Sequence, residues 1–245
     1  MLFPLRDSIP SQRRPVVNTA VIVLCGVVFA YQLLLGPHLE RFLALAAFIP
    51  ARLFNSVPAW SLPQPDYGVA GNLVTMVASM FLHGGWLHII GNMWFLYIFG
   101  DNIEDALGHV RYILFYLGAG VVACLSQGLA SPTSTMPMIG ASGAIAAVLG
   151  AYMVWFPHSR VHTLIFLGFF ITMADLPGLV FLGFWFVLQF FMGTLSLASA
   201  PADAGGVAWF AHVGGFVFGF SLALWMKVTG RVSPAPARYA SWYRY

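Results

Sequence analysis

The sequence predicts an all-α polytopic membrane protein whose chain crosses the bilayer six times. Of its 245 residues, 60% are hydrophobic and only 8% are charged, whereas soluble domains carry about 25% charged residues. Apolar runs close to the 20 or so residues that one crossing requires also recur along the chain, separated by short polar connections. The net charge of only +3, without a basic stripe, argues against a nucleic-acid partner.

The first span is predicted at 16–35, a continuous apolar run. Residues 1–15 before it hold three arginines and three prolines, and we expect a short flexible tail. Residues 36–71 after it form a long connection that mixes prolines with apolar residues. Such a mixture predicts a loop that folds back against the membrane interface.

The next two spans follow in close succession. A short apolar piece at 73–82 leads to the second span at 84–99, which the acidic run 101–105 is expected to end. The third span is predicted at 111–129. The loop 130–139 that follows it is rich in Ser, Thr and Pro, as a turn region should be.

The last three spans are predicted at 142–156, 176–197 and 207–228. The apolar stretch 161–171 lies between the first two of them and is too short to cross, so an interfacial or re-entrant hairpin is expected there. A loop at 199–206 precedes the sixth span. The chain thus divides into a tail at 1–15, a six-span membrane domain at 16–228, and a second tail at 229–245.

Charge predicts how these spans are oriented. Six spans place both termini on one side of the membrane, and nine of the eleven Lys and Arg residues fall on that side. The positive-inside rule therefore places both tails in the cytoplasm and the long loop after the first span outside. The nine are Arg6, Arg13, Arg14, Arg111, Arg160, Lys227, Arg231, Arg238 and Arg244; the other two are Arg41 and Arg52.

Four polar side chains stand out within the apolar spans: His88, Asn92, Ser142 and His212. Polar groups at membrane depth cost free energy, and they are functional candidates that usually have a partner. His88 and Asn92 are four residues apart and share one helix face. All four lie near the external ends of three different spans, so we expect them to meet at one depth.

Small residues line the two spans that carry Ser142 and His212. Such faces let helix backbones approach closely, which could bring the His212 ring within the 2.6–3.2 Å or so that a general base needs from the Ser142 hydroxyl. The small faces are Ser142, Ala146 and Gly150 on the fourth span, and His212, Gly215 and Gly219 on the sixth.

The fourth span is also short. Its 15 residues extend only about 22 Å at 1.5 Å per residue, less than the roughly 30 Å of the hydrocarbon core. The start of this helix, with Ser142, should therefore lie below the external surface, under a water-filled recess. Free backbone N–H groups and the positive end of the helix dipole would favour a developing oxyanion at that point.

Three motifs resemble those of the rhomboid intramembrane serine proteases. They are G-A-S-G at 140–143, H-x-x-x-N at 88–92 and A-H-x-x-G-x-x-x-G at 211–219, and the resemblance extends over about 72–228. The resemblance implies a Ser–His dyad without an acidic third member, no metal or other cofactor, and transmembrane or membrane-adjacent segments of membrane proteins as substrates.

The resemblance also assigns roles. Ser142 matches the nucleophile and His212 the general base, while His88, Asn92 and the backbone N–H of Ser142 match the oxyanion hole. One departure concerns Ala146, which stands where family members often have a Tyr that stacks on the base histidine. The sequence therefore leaves open what orients His212. Arg52 also lacks the Trp that precedes the corresponding Arg in some members.

Other histidines and acids are given structural interpretations. His83 is expected to be structural or a water-exposed neighbour, and the acidic run 101–105 to cap a cytoplasmic turn. Asp175 and Asp203 are not expected to act as a third member of the dyad. His38, His109, His158 and His162 are expected to be solvated. The aromatic fifth span is usual for a lipid-facing helix; a lateral gate in its outer half is the further hypothesis.

Two other functions compete with an intramembrane serine endopeptidase. The first is a catalytically inactive rhomboid-like protein that binds membrane helices, although such relatives typically lack the serine or the histidine. The second is a channel or transporter lined by His88, Asn92 and His212, which the absence of internal repeats disfavours. The inner membrane of a prokaryote is the predicted location.

Overall fold

The computed structural model describes residues 2–58, 62, 68–199 and 207–232, which are mostly helical. The predicted loop at 200–206, which holds Asp203, and the end of the predicted C-terminal tail at 233–245 lie outside the described residues. Arg238 and Arg244, which entered the charge count, fall within that tail.

Four helices of the described chain are long and apolar enough to cross a membrane, so the chain is a multi-pass integral membrane protein. These four are α1, α6, α8 and α9. A fifth long helix, α5, carries acidic residues near its end, and α7 is apolar but has only 14 residues. The helices are α1 Val16–Leu34, α2 Leu39–Ala46, α3 Pro50–Phe54, α4 Gly68–Ser79, α5 Trp86–Leu107, α6 His109–Ala130, α7 Ser142–Trp155, α8 Gly178–Ser199 and α9 Trp209–Val228.

The prediction of an all-α fold is wrong, because the chain also contains a three-stranded antiparallel sheet in the order β1-β2-β3. Strands β2 Arg160–Leu167 and β3 Phe170–Pro177 form a hairpin between α7 and α8. A hairpin was expected in this region, but it extends over 160–177, beyond the predicted apolar stretch 161–171. Gly168, at a φ of +63°, supplies the turn between them, where a side chain would be strained.

The N-terminal tail is not flexible as predicted, because Leu2–Asp7 forms β1. This strand pairs with β2, Phe3 opposite Leu164 and Asp7 opposite Val161. The backbone groups of β1 thereby find partners that a solvated tail would take from water. The signal for this strand lies in a distant segment, which explains why residues 1–15 alone did not reveal it.

The acidic run does not end the second span, because α5 continues through it to Leu107. The start of α1 explains the acidic residues. Glu104 accepts hydrogen bonds from the backbone N–H groups of Val17 (2.9 Å) and Asn18 (2.7 Å). Pro15, at the N-cap of α1, offers no capping side chain, so a carboxylate from α5 satisfies these free donors instead.

The long connection after α1 contains two short helices, α2 and α3. The Arg52 side chain is buried and donates to the Ala44 carbonyl oxygen at 2.6 Å, which joins α3 to α2. Phe48, between the two helices, forms a β-bridge with Met138. This bridge fastens the connection to the loop that leads into α7.

Helices α7 and α9 pack backbone to backbone through the predicted small faces. A Cβ atom added at Gly215 would lie 2.0 Å from the Gly143 carbonyl oxygen, and one at Gly219 would lie 2.0 Å from that of Ala147. A Cβ atom at Gly150 would lie 2.2 Å from the Phe216 carbonyl oxygen. The prediction that small residues allow close approach is confirmed at these three glycines.

Asp7 joins β1 to the helical bundle. Its Oδ2 atom accepts hydrogen bonds from the Tyr152 hydroxyl (2.5 Å) and from Asn102 Nδ2 (2.9 Å). Burial, with a smaller contribution from the neighbouring Asp101, raises the pKa of Asp7 from 3.8 to about 7. The strand thus ends on a carboxyl group that binds its proton more tightly in the folded protein than in the unfolded chain.

The free energy of unfolding should therefore fall as the pH rises from about 4 to about 7. In this window the folded Asp7 keeps a proton that the unfolded chain has lost, so its contribution is greatest below pH 3.8 and is lost by about pH 7. Asp7→Asn should flatten this slope, measured as the apparent Tm of the detergent-solubilised protein against pH. Glu40→Gln, which changes an exposed carboxylate on α2, should leave the slope intact; an unaltered slope in Asp7→Asn would refute this account.

Candidate active site

Ser142 and His212 form a hydrogen-bonded pair inside the helical bundle. The Ser142 Oγ atom lies 2.7 Å from His212 Nε2. Ser142 is the first residue of α7, and His212 lies in the first turn of α9, where it is buried. The close packing of α7 on α9 brings them together, and the distance is one at which an imidazole can take a proton from a hydroxyl.

The second ring nitrogen of His212 has a partner on α8. Its Nδ1 atom lies 2.6 Å from Gln189 Oε1. Because a carbonyl oxygen only accepts, Nδ1 carries the hydrogen in this contact. The neutral ring then presents an unprotonated Nε2 to Ser142, so the hydroxyl donates to it. Gln189 thereby selects the tautomer of His212 that can act as a base toward Ser142.

Aromatic rings hold His212 from two further sides. The Trp185 ring lies 5.9 Å from the His212 ring at 37°, and the Trp209 ring lies 6.2 Å away at 86°. The start of α9 is fixed as well, because the backbone N–H of Phe210 donates to Gln127 Oε1 of α6 at 3.0 Å. Together these contacts restrict both the ring and the helix turn that carries it.

Ala146 has no role in orienting His212. Ala146 is fully buried, and a Cβ atom added at Gly215 of α9 would lie 3.4 Å from the Ala146 Cβ atom. A tyrosine has no room at this position, because α9 packs directly upon it. The question that the sequence left open thus receives its answer from α8, which supplies Gln189 and Trp185.

His88 points its other nitrogen toward the approach to Ser142. Its Nδ1 atom accepts a hydrogen bond from the backbone N–H of Gly84 at 3.2 Å. In the neutral ring, Nε2 then carries the hydrogen and is free to donate. A Cβ atom at Gly140, two residues before Ser142, would lie 2.8 Å from that Nε2 atom. His88 therefore offers a donor directly beside the G-A-S-G turn.

Asn92 lies one helical turn further along the same face of α5. It is buried, and its Nδ2 atom has no hydrogen-bond partner among the described residues. A Cβ atom at Gly140 would lie 3.7 Å from this nitrogen. An unpaired buried amide is costly, so an N–H donor that faces a cavity is arranged for a group that arrives there. Asn92 and His88 thus converge on one point.

Ser142, His212, His88 and Asn92 all line one cavity of about 1210 Å³. The backbone N–H of Ser142 belongs to the first turn of α7, where helix N–H groups lack intrahelical partners. The positive end of the helix dipole points into the same space. The arrangement combines a hydroxyl with an adjacent base, two side-chain donors and a helix N-terminus, which are the parts that acyl transfer to a serine requires.

Helices α5 and α8 form two walls of the cavity. On the α5 side its wall includes Leu87, Gly91 and Phe95, and on the α8 side Trp185 and Gln189. Phe181 of α8 is buried against α5, where its ring centroid lies 6.5 Å from that of Phe95 and 6.4 Å from that of Phe99. Phe184, Phe190 and Phe191 are exposed along the outer face of α8, as the sequence suggested for a lipid-facing helix.

The remaining candidates lie apart from the pair. His83 is buried and lies edge-on to His88 at 5.2 Å, which agrees with the structural alternative and not with the water-exposed one. His109 bonds Glu104, and His162 pairs with Asp175 across the sheet. Asp175 thus pairs with His162, whereas the two ring nitrogens of His212 contact Gln189 and Ser142. No group of three metal-binding side chains occurs among the described residues.

Gly140→Ala should lower the rate of any reaction at Ser142 by about 10-fold or more. The φ of Gly140 is +124°, which strains a side chain, and its Cβ atom would overlap His88 Nε2 and Cε1 at 2.8 Å. Displacement of one oxyanion donor typically costs about 10²- to 10³-fold in rate. Gly91→Ala, on the cavity wall with no atom within 4 Å of its Cβ position, is the matched control. Equal rates in the two variants would contradict the proposed placement of His88.

The fold and this cavity define a class: multi-pass membrane proteins with a Ser–His pair enclosed by their helices. The model of the Rhomboid domain matches residues 70–228, more than half of the chain. The chain belongs to the rhomboid family. The match begins in α4 and ends with α9, so it contains Ser142, His212, His88 and Asn92.

Relatives of this chain are found in several membrane systems. It is 32% identical to the Bacillus subtilis protein named "Putative rhomboid protease YdcA", over 49% of this chain and 62% of the relative. It is 28% identical to the yeast mitochondrial protein Rhomboid protein 1, over 65% and 43%. It is 31% identical to the Arabidopsis thaliana chloroplastic Rhomboid-like protein 11, over 49% and 38%. The chain thus matches less than two thirds of the length of each of these relatives.

Two residues at the site have structural roles that sequence reasoning did not assign. They are Gln189 on α8 and Gln127 on α6, neither of which the sequence singled out. Both are amides within apolar spans, so the rule that identified Asn92 applies to them equally. Applied to every amide rather than to the motif residues alone, that rule would have singled them out.

Proposed function

We propose that the protein is an intramembrane serine endopeptidase that cleaves transmembrane or membrane-adjacent segments of other membrane proteins. The single observation that carries this proposal is the 2.7 Å contact between Ser142 Oγ and an unprotonated His212 Nε2, beside an unpaired Asn92 amide. A Ser–His contact alone also serves packing. The unpaired Asn92 donor lies on the wall of the same cavity as Ser142, where it can stabilise an oxyanion, and this supports the catalytic function over packing.

The reaction begins with Ser142. As its oxygen attacks the scissile carbonyl carbon, its proton passes to His212 Nε2, and the carbonyl oxygen becomes an oxyanion. The Nε2–H of His88, the amide of Asn92 and the backbone N–H of Ser142 stabilise this charge. His212 then returns the proton to the leaving amine, the C–N bond breaks, and an acyl-enzyme ester remains.

Water completes the cycle. His212 takes a proton from a water molecule in the cavity, and the hydroxide attacks the ester carbonyl. The new oxyanion collapses, the Ser142 oxygen leaves and recovers its proton from His212, and the carboxylic acid product departs. Gln189 accepts from Nδ1 throughout, and so keeps the ring in the orientation that both half-reactions need.

The membrane arrangement of this proposal has six spans. Helix α5, with 22 residues, and α7, with 14, would join the four long apolar helices. We place 1–15 and 229–245 in the cytoplasm, flanking a membrane domain at 16–228, and the connection after α1 outside. A substrate helix would approach sideways between α5 and α8, with the outer half of α8 as its gate. The inner membrane of a prokaryote stays a prediction, because relatives occur in bacteria, mitochondria and chloroplasts.

The main alternative is a rhomboid-like protein that binds membrane helices without cleaving them. The cavity between α5 and α8 would serve that function too. The alternative gives no reason for the Ser–His contact or for the tautomer that Gln189 selects, so the endopeptidase is favoured. A transporter lined by the same polar residues is disfavoured on the same ground.

Fluorophosphonate labelling of the reconstituted protein tests the proposal. The reagent should modify Ser142 alone, located by mass spectrometry of the labelled peptide, and a transmembrane substrate should be cleaved in the same vesicles. Ser131→Ala, which removes another serine of the cavity wall, is the matched control and should leave both signals unchanged. Cleavage that survives in Ser142→Ala would end the endopeptidase proposal, and binding of substrate without labelling would support the alternative.

Gln189→Leu should lower kcat by about 10- to 100-fold with little change in KM. The leucine leaves the Nδ1–H of His212 without an acceptor and frees the ring to adopt the wrong tautomer, but it leaves Ser142 and the substrate groove in place. Gln189→Glu keeps an acceptor and should restore most of the rate. It should also move the acidic limb of the pH–rate profile to higher pH, because a carboxylate favours the protonated imidazole.

A purely structural role for Gln189 would give a different result. Both variants would then lower thermal stability, and neither would move the pH–rate profile. Thr194→Val, five residues further along α8 and exposed, controls for general effects of substitution in this helix. An unchanged kcat in Gln189→Leu would show that the aromatic rings alone orient His212.

A further inference from the structure

The three-stranded sheet lies alongside α5 rather than beyond the end of the helical bundle. Two contacts fix its direction: Asp7 meets Asn102 through a 2.9 Å hydrogen bond, and the Pro4 carbonyl oxygen accepts from Trp94 Nε1 at 2.7 Å. From Asp7 to Pro4 the strand advances about 10 Å at ~3.3 Å per residue. From Asn102 to Trp94 the helix advances about 12 Å at 1.5 Å per residue. Strand β1 and helix α5 therefore run nearly parallel.

The far end of the sheet is apolar, whereas its near end is charged. Phe3 stacks on Trp94 at 5.8 Å and 17°, and β2 and β3 extend beyond β1 in the same direction. Residues 164–171 have the sequence Leu-Ile-Phe-Leu-Gly-Phe-Phe-Ile. Arg6, Arg160 and the His162–Asp175 pair lie at or near the other end. The strands thus become less polar from the Asp7 end of the sheet toward its tip. This is the direction from Asn102 to Trp94 along α5.

The apolar end of the sheet is uncovered in the described structure. Phe169 is 103% exposed and Phe170 is 78% exposed, and Ile171 and Met173 are exposed as well. A soluble protein rarely leaves so contiguous an apolar patch in water. Strand β3 also continues directly into α8, whose Leu179 and Val180 are exposed apolar residues of a predicted span. The strand that carries the uncovered patch therefore leads, at its other end, directly into a helix of membrane-spanning length.

We propose that the tip of the β2–β3 hairpin, residues 166–171, inserts into the bilayer leaflet on the side of the acidic end of α5. Phe169 and Phe170 lie among the acyl chains, and the charged base of the sheet lies at the headgroups and beyond. Lipid is the occupant because the sheet rises alongside α5 and because β3 leads directly into α8, a helix long and apolar enough to cross a membrane.

The open edge of β3 needs water in this placement. Its outward-facing peptide groups have no strand beside them, and each unpaired group costs several kcal/mol in hydrocarbon. The tip lies seven residues, about 23 Å, from the level of Asp7, so water must follow the outer edge of β3 into the leaflet to hydrate its peptide groups. This contact anchors the connection between α7 and α8 at the membrane, independently of whether Ser142 cleaves substrates.

Nitroxide labels on the full-length protein in phosphatidylcholine–phosphatidylglycerol vesicles test this placement. Phe169→Cys carries the label at the tip, His158→Cys at the exposed base, and Val187→Cys on the exposed face of α8. Native Cys25 and Cys124 are buried, and the unsubstituted chain gives their background signal. Power saturation with oxygen, which partitions into lipid, and with a water-soluble nickel chelate reports the depth of each label.

The expected result is a ratio of oxygen to nickel accessibility at 169 that is at least threefold above that at 158 and approaches that at 187. A ratio at 169 equal to that at 158 would place the tip in water and overturn the proposal. Dipolar broadening of the label at 169 that persists on dilution with lipid would assign the patch to a second copy of the chain, which also overturns it. Phe170→Cys repeats the measurement at the adjacent position, so the result does not depend on one variant.

Discussion

Alanine at Ser142, at His212 or at both positions together should lower the rate of substrate cleavage by the same amount, at least about 10⁴-fold. Neither residue performs the proposed chemistry without the other, because the serine needs a base and the base acts only on the serine proton. Groups that act as a unit are strongly non-additive, and the double variant loses little more than each single variant. The residual rate would come from the helix N-terminus and the donors of His88 and Asn92.

The comparison requires initial rates of cleavage of one transmembrane substrate in vesicles, with fluorophosphonate labelling as a second readout. Labelling should vanish in Ser142→Ala and fall steeply in His212→Ala, because the reagent needs an activated hydroxyl. The contact between the two residues is 2.7 Å, so stability will change somewhat, and the apparent Tm of each variant must be measured. Additive losses from the two single variants would show that they act separately and would contradict the dyad.

The features that the sequence predicted well rest on local physics. Apolar runs of membrane length identified α1, α6, α8 and α9, because hydrocarbon admits no polar backbone and the helix is its simplest solution. The cavity followed from a similar rule, in which a polar side chain within a span needs a partner. The sequence thus predicted that Ser142 lies near His212, and the glycines of α9 predicted close packing of the two helices that carry them.

The features that the sequence did not predict depend on partners far away in the chain. Strand β1 pairs with β2, about 160 residues later, and neither strand shows the clean alternation of a half-buried strand. The acidic end of α5 looked like a terminus because its partner, the start of α1, lies 86 residues earlier. Gln189 escapes prediction for a different reason. The family pattern places the group that orients the base histidine one turn after Ser142, whereas in this chain another helix, α8, supplies it.

Gly215→Ala should reduce cleavage by about 100-fold or more although it adds only a methyl group far from any substrate. The new Cβ atom would lie 2.0 Å from the Gly143 carbonyl oxygen and 3.0 Å from its carbonyl carbon. Backbone atoms cannot rotate away as a side chain can, so α7 and α9 must separate. The 2.7 Å contact between Ser142 and His212 then lengthens as well. A misplacement of about 1 Å costs roughly 10²-fold in a catalytic site.

Gly118→Ala on α6 is the matched control, because its Cβ atom would meet nothing within 4 Å. Gly219→Ala adds a comparison at the far end of the same interface, where the overlap is with the Ala147 carbonyl oxygen at 2.0 Å. Both interface variants should lose thermal stability, since each forces the helices apart. Gly215→Ala should lose more activity, because Gly143 adjoins Ser142 whereas Ala147 lies more than one turn away. Equal activities in the three variants would mean that the α7–α9 packing does not set the geometry of the pair.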